Sequence, residues 1–342
     1  MKRLLNTLFI STQGAWLSRE GENIVVHLDK ETSKQFPIHL FESIACFGRI
    51  NATSPLMGFC AQKGVHISFF SEHGRFFARV DGPVRGNVLL RRQQYRLADD
   101  AKATSEIARN FLIGKIANSR AVLMRAARDN DGEGNAVLTS AAKYLGGTVQ
   151  DLDKSLPLDI LRGKEGDAAR CYFEVFDHLI LAQKEHFKFT DRNRRPPMDN
   201  VNALLSFVYT LLTHDVMSAL EGVGLDPAVG YLHRERPGRP SLALDLMEEF
   251  RHWLADRLVL SLINLRQIRP DGFSQSESGA VIMDDATRKI VIAAWQERKQ
   301  NELTHPYTEE KIAIGLLPHV QARLLARHIR GELESYPPFV WK

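Results

Sequence analysis

The chain has 342 residues, 44% hydrophobic and 25% charged, with a formal charge of +4 and three cysteines. That length allows two domains with separate cores, and the composition excludes a disordered or fibrous chain. Cys46, Cys60 and Cys171 are odd in number and lack metal-ligand spacing, which argues against a disulfide framework and for a reducing, cytoplasmic setting.

The first residues, MKRLLNTLFISTQG, hold a short apolar stretch interrupted by polar residues. No small-residue cleavage site follows, so they read as a first β-strand and not as a signal peptide. No uninterrupted apolar run reaches the roughly 20 residues that span a bilayer. The segments TLFIST, AWLSREGENIVVHL, PIHLFESIACFG and VHISFFSEHGRFFARV are short and rich in β-branched and aromatic residues. Gly and Asn/Asp turns separate them, with hairpins expected at 20–23 and 72–74. Residues 1–85 are therefore expected to form an N-terminal β domain. One short helix is expected near Ser54–Lys63, with Ser54 as N-cap and Pro55 at the first helical position.

After Pro83 the period becomes helical. Segment 86–100 reads as a linker and the start of the helical region, and 101–342 as a larger all-α-helical domain. The overall class is α+β. Arg85, Arg91, Arg92 and Arg96 make a cluster that is more often a solvated helix face than a nucleic-acid site. Ala101–Arg128 carries Ile107, Phe111, Ile113, Ile116, Val122 and Leu123 among alanines and charges, an amphipathic helix. Further helices are expected at 167–183, 199–221, 241–266, 284–300 and 310–330. The Pro-Pro and polar content of 187–199 predicts a loop.

The richest run is 202–251. A long apolar helix leads into a Gly/Pro-rich loop with His233, Arg234, Arg236 and Arg239, and a second helix carries carboxylates. Ser241 is a candidate N-cap for that helix. At about 100° per residue Asp245, Glu248, Glu249, His252 and Asp256 share one face, opposite Leu246, Met247, Phe250, Trp253 and Leu254. Periodicity alone describes an ordinary amphipathic helix with a wet acidic face. The adjacent cationic loop favours a site, because His233 lies 15 residues before Glu248 and can fold back over the helix start. A third piece, residues 161–170, holds Glu165 between Gly163 and Gly166, with Asp167 expected to begin a helix. Glu165 then either stabilises that helix start or aims a carboxylate into a cleft.

One histidine and two carboxylates from three elements form a hard, open donor set that suits Mg²⁺ or Mn²⁺ with water and phosphate oxygens. A structural zinc site would need four closed ligands, and no such spacing is present. Arg234, Arg236 and Arg239 are candidate phosphate-binding residues. That chemistry points to phosphodiester bonds.

The pieces GKEGDAARCYF, NALLSFVYTLL, GLDPAVGYLH and GRPSLALDLMEEFR, in this order, resemble the CRISPR adaptation integrase family, the Cas1 endonucleases. The resemblance runs from about residue 4 to 335 and is densest in 160–252. It implies a β domain followed by a helical catalytic domain. It also implies one divalent metal, Mg²⁺ or Mn²⁺, bound by catalytic residues that fall on Glu165, His233 and Glu248. Asp245 matches a second acidic position and is a candidate auxiliary acid. The resemblance further implies a homodimer, double-stranded DNA as substrate, and a small partner, Cas2, bridging two dimers. The wording DLMEEFR is similar to type I members, subtype I-C. Three readings stay open on the residues themselves: an integrase and endonuclease, a structure-selective repair nuclease, and a non-catalytic DNA-binding scaffold.

Overall fold

The computed structural model describes residues 7–341 except 30, 42, 73–75, 81, 83–87, 130–132, 153–155 and 195. The strand-rich part runs β1 (Thr7–Ile10), β2 (Trp16–Glu20), β3 (Asn23–His27), β4 (Ser33–Pro37), β5 (Ser43–Phe47) and β6 (Asn51–Ala52). Helix α1 (Ser54–Lys63), β7 (His66–Phe70) and β8 (Phe76–Val80) complete it. One sheet has the order β1-β5-β7-β8, parallel except at β8; the other is β4-β3-β2-β6, antiparallel except where β2 meets β6. The β2–β3 hairpin turns where expected, Glu20 pairing with Asn23 and Gly21 taking φ +57°. The expected 72–74 turn includes residues 73 and 74, which lie outside the described residues.

Strand β5 explains how the two parts join. All five of its residues are buried, as expected of a strand covered on both faces. Ile44 and Cys46 pack in a cluster with Leu17, Ile24, Val26, Leu56 and Phe59, from the second sheet and α1. The alternate residues Ala45 and Phe47 belong to the core of the helical part, where Phe47 lies 5.8 Å from Phe207. All three cysteines are unpaired, and burial pushes the Cys46 and Cys60 thiols up to about 12.

The helical part contains α2 (Val88–Asp99), α3 (Ala101–Arg128), α4 (Glu133–Gln150), α5 (Leu158–Glu174) and α6 (Asn200–Gly222). After them come α7 (Ser241–Phe250), a π-helical turn (Arg251–Asp256), α8 (Arg257–Asn264), α9 (Asp285–Gln300) and α10 (Leu317–Ile329). Strands then helices is the expected order. Asp100 caps α3 by accepting from the backbone N–H groups of Lys102 and Ala103, and Asp199 caps α6 by accepting from Asn202. By length and composition α6 could cross a membrane, but most of it is buried, packed against α7 and α10.

Several expectations need correction. The helix placed at 167–183 is α5, and it begins nine residues earlier, at Leu158. The one placed at 241–266 is interrupted by the π turn. The one placed at 310–330 starts at Leu317, because Lys311–Ala313 pairs with Glu302–Thr304 as a hairpin. In α1, Thr53 holds the N-cap position and Ser54 is already helical. Helix α4, rich in glycine and small residues, has no counterpart among the expected helices.

Segment 86–100 does more than connect. Arg85 lies outside the described residues, but α2 clamps the loop that leads to His233. The buried Gln94 amide donates to the carbonyls of Asp226 (2.8 Å) and Val229 (2.9 Å) and accepts from Asp226 N–H (2.9 Å). Tyr95 donates to the Asp226 carboxylate at 2.8 Å, and Arg91 to the Gly224 carbonyl at 3.2 Å. Gln94→Ala would strand buried backbone groups in that loop. A stability loss of roughly 1–3 kcal/mol is expected in urea denaturation; an unchanged midpoint would show that the clamp carries no stability.

Candidate active site

Helix α7 starts without a side-chain cap. Ser241, expected as N-cap, is the first helical residue, and its hydroxyl donates to the Arg234 carbonyl at 3.3 Å. The Pro227 carbonyl instead accepts from Leu242 N–H (2.9 Å) and Ala243 N–H (3.3 Å), which ties the helix start to the preceding loop. The expected wet acidic face is not wet: Asp245, Glu248, Glu249, His252 and Asp256 are all buried. Nor do they act together. The π turn at Arg251–Asp256 swings His252 and Asp256 out of register with Asp245, Glu248 and Glu249, which precede it, and those three acids meet different partners.

Asp245 serves the loop. Its carboxylate accepts from the backbone N–H groups of Tyr231 (2.6 Å), Leu232 (2.9 Å) and His233 (2.8 Å), and lies 2.7 Å from His233 Nδ1. A carboxylate at Nδ1 fixes the orientation of the ring, and in the neutral imidazole with its proton on Nδ1 the Nε2 carries the lone pair. Asp245 is thus built to orient His233.

Glu248 is 4% exposed and surrounded by cations. Arg251 Nη1 donates to Oε1 at 2.9 Å, and the Lys115 ammonium lies 2.9 Å from Oε2. Burial alone would raise this carboxyl; Arg251, Lys115 and His233 together hold it well below the ordinary range. Lys115 also pairs with Glu165, so one ammonium from α3 bridges carboxylates from α5 and α7. Glu165 therefore lies in mid-helix and not before a helix start. Gly163 and Gly166 make no tight turn there, and a side chain at either would meet open space.

The remaining acids face elsewhere. Glu249 accepts from Tyr336 hydroxyl (2.7 Å), Gln321 amide (2.8 Å) and Phe339 N–H (2.9 Å), and so grips the C-terminal segment. Burial raises its carboxyl to about 8 against those three bonds. Asp256 accepts from Tyr209 hydroxyl at 2.5 Å and pairs with His252 Nδ1 at 2.7 Å; burial lowers His252, with Asp256 opposing.

Of the three arginines in the His233 loop, Arg234 and Arg236 are exposed and Arg239 is half-buried. Arg234 pairs with Asp159 at 3.6 Å. Three further cations were not singled out from the sequence. Lys115 is one. Arg192 is fixed on the 190–199 loop by Asn202, Ser206 and the Tyr209 ring. Arg194, on the same loop, lies within electrostatic reach of Arg251, Glu248 and Glu165. Lys115 had a signal: it falls on the buried stripe of α3, four residues after Phe111 and between Leu112 and Ser119. A lysine on an apolar stripe needs a buried partner.

Among the described residues no three His, Cys, Asp or Glu side chains already form a metal cage; Lys115 stands between the two carboxylates. The donor set nonetheless fits a hard divalent cation. Two carboxylates from separate helices converge on one cation, and the buried Glu248 Oε2 makes no aligned hydrogen bond despite the nearby ammonium. His233 adds a pre-oriented nitrogen.

Two outcomes are expected. A Cβ at Gly230 would lie 2.7 Å from the Asp245 carboxylate and 2.8 Å from the Ser241 carbonyl carbon. Gly230→Ala should therefore cost roughly 1–3 kcal/mol in denaturant unfolding by overpacking. The raised Glu249 carboxyl makes a second. An acid whose folded value, about 8, exceeds its ordinary 4.5 stabilises fully below 4.5. That contribution is lost as pH rises through about 8. Glu249→Gln should flatten the fall in unfolding free energy between pH 5 and 9; an equal slope in both proteins would refute the assignment.

The sequence matches the family described as "CRISPR associated protein Cas1" over residues 8–297. It is 53% identical to a CRISPR-associated endonuclease Cas1 of Chlorobaculum tepidum and 50% identical to one of Rhodospirillum rubrum, each alignment covering 100% of both chains. Among solved structures, a casposase bound to integration product superposes with a TM-score of 0.83 at 21% identity, covering 98% of this chain and 94% of that one. A chain of a Cas6-RT-Cas1–Cas2 complex matches with a TM-score of 0.83 at 22% identity, over 100% of this chain and 36% of the longer one. Shared sequence along its full length, on a shared fold, makes this chain a member of the Cas1 family of CRISPR-associated endonucleases.

Proposed function

We propose that the chain is a divalent-metal-dependent DNA endonuclease and integrase that inserts short foreign DNA into a CRISPR repeat array. The observation that carries this reading is the convergence of Glu165 and Glu248 on a single cation beside His233, whose orientation Asp245 fixes. In the reaction a 3′-hydroxyl attacks a phosphodiester and the former 3′-oxygen leaves. One ester bond forms and one breaks, so no nucleotide cofactor is needed to drive the step.

Glu165, Glu248 and His233 would hold Mg²⁺ or Mn²⁺, which supplies Lewis acidity at the phosphoryl oxygen and a lowered pKa for the bound hydroxyl or water. Arg251 keeps Glu248 ionised and in place, through the ion pair and its position 4.4 Å over the Tyr209 ring. Asp245 fixes the orientation of the His233 ring through Nδ1. Arg194 extends from a loop tied down by Arg192 and Asn202, and Arg234, Arg236 and Arg239 offer further cations for the DNA backbone. The partners in this reading are double-stranded DNA, a second copy of the chain docked through the strand-rich half, and Cas2. Their support is the likeness in fold to a casposase bound to integration product and to a Cas6-RT-Cas1–Cas2 complex, together with the strands β1, β8, β4 and β6 that end the two sheets among the described residues.

Strand transfer of a labelled duplex into repeat-bearing plasmid tests the reading. Glu165→Gln and His233→Ala should lower Mn²⁺-dependent joining by about 100-fold or more, with an unchanged circular dichroism spectrum. Glu248→Gln should do the same but also destabilise, because it leaves Lys115 and Arg251 uncompensated. Asp245→Asn should cost about 10- to 100-fold, as for a residue acting through a ligand. Metal-dependent nicking of branched DNA with no joining would favour the repair nuclease; normal joining by Glu165→Gln would remove that residue from the site.

A further inference from the structure

We infer that Lys115 is the built-in counter-cation of the metal-free site, that a divalent ion binds only by displacing its ammonium, and that this lysine thereby sets metal affinity. The inference rests on the metal site proposed above.

Charge balance carries the argument. Glu165 and Glu248 bring two negative charges, and the cations paired with them, Lys115 and Arg251, bring two positive ones, so these four paired groups sum to zero. Adding a dication with both cations in place would leave two excess positive charges where Lys115 is 2% and Glu248 4% exposed. Such an excess is expensive in a low-dielectric site. One cation must leave, and only one is free to go. Arg251 is stacked on Tyr209 and sits three residues from Glu248 on the same helical run. The backbone of Lys115 is also fixed. Gly114 packs against the Glu249 side chain and Pro338, and the Lys115 carbonyl accepts from Ser119 hydroxyl at 2.8 Å. The lysine tip is different: four single bonds carry it, and its second partner, Glu165, is 31% exposed. The ammonium therefore has an exit on the Glu165 side.

The test is Mn²⁺ titration of the full chain by calorimetry, without DNA, on wild type, Glu165→Gln, Lys115→Met and Lys115→Arg. Lys115→Met should bind Mn²⁺ about tenfold more tightly or better, because no resident cation competes. Its metal-free form should melt below wild type, and its rise in Tm on saturation should be larger. Lys115→Arg keeps the charge and should bind no more tightly than wild type. If Lys115→Met does not fold, Lys115→Gln takes its place. Equal or weaker Mn²⁺ binding by the neutral variant overturns the inference, and so does equal tightening by the arginine variant. Glu165→Gln separates the two levels. If it binds Mn²⁺ as wild type does, the metal site itself is wrong; if it loses binding while the neutral lysine variant gains nothing, only the role of Lys115 fails.

Discussion

A carboxylate at 4% exposure organises the helical half of this protein. Glu248 is ionised where water cannot solvate it, so its neighbours must be cationic and must be held in place. Arg251 is delivered by the π turn on the same helical run. Lys115 comes from α3, and His233 from a loop that α2 and Asp245 hold down. Each of these neighbours in turn has its own support: Tyr209 beneath Arg251, Asp245 behind His233, Glu165 across from Lys115. Much of the helical architecture around the site follows from the cost of leaving that one charge uncompensated.

The same helix shows why neighbouring acids do different work. Glu248 and Glu249 are adjacent, both buried, and pushed in opposite directions. Cations surround the first, whereas the second meets only neutral donors, from Gln321, Tyr336 and Phe339. One is kept charged by the cations around it. The other is biased toward its neutral form and serves as a clasp for the end of the chain.

The strand-to-helix order, α3, and the start of α6 were legible because period, caps and turn glycines agreed there. The candidates Glu165, His233 and Glu248 came from motif wording, and their local settings were not legible. Glycines flanking Glu165 suggested a turn, yet the carboxylate rides mid-helix, because helix propensity over 158–174 outweighs two glycines once Leu161, Tyr172 and Phe173 are buried. The wheel for 241–256 assumed uniform 100° steps, and the π turn breaks that assumption. Lys115 carried a readable mark, a charge on an apolar stripe, but its partners lie 50 and 133 residues away, beyond what local pattern conveys.

The grip of Glu249 on Tyr336 and Phe339 has a consequence for how the molecule is made. Asn118 on α3 joins the same knot, donating to the carbonyls of Glu249 (2.7 Å) and Phe339 (2.9 Å) and accepting from Trp341 N–H at 2.7 Å. The back of the α7 scaffold is thus closed by residues more than 80 positions downstream of it. Contacts of such long sequence separation form late, after costly loop closure. During synthesis the strand-rich half and α1 can fold while the ribosome is still working. The back of α7 stays open until residues 336–341 have left the ribosome, so a chain stopped before them carries Glu249 without two of its three donors, the Tyr336 hydroxyl and the Phe339 N–H.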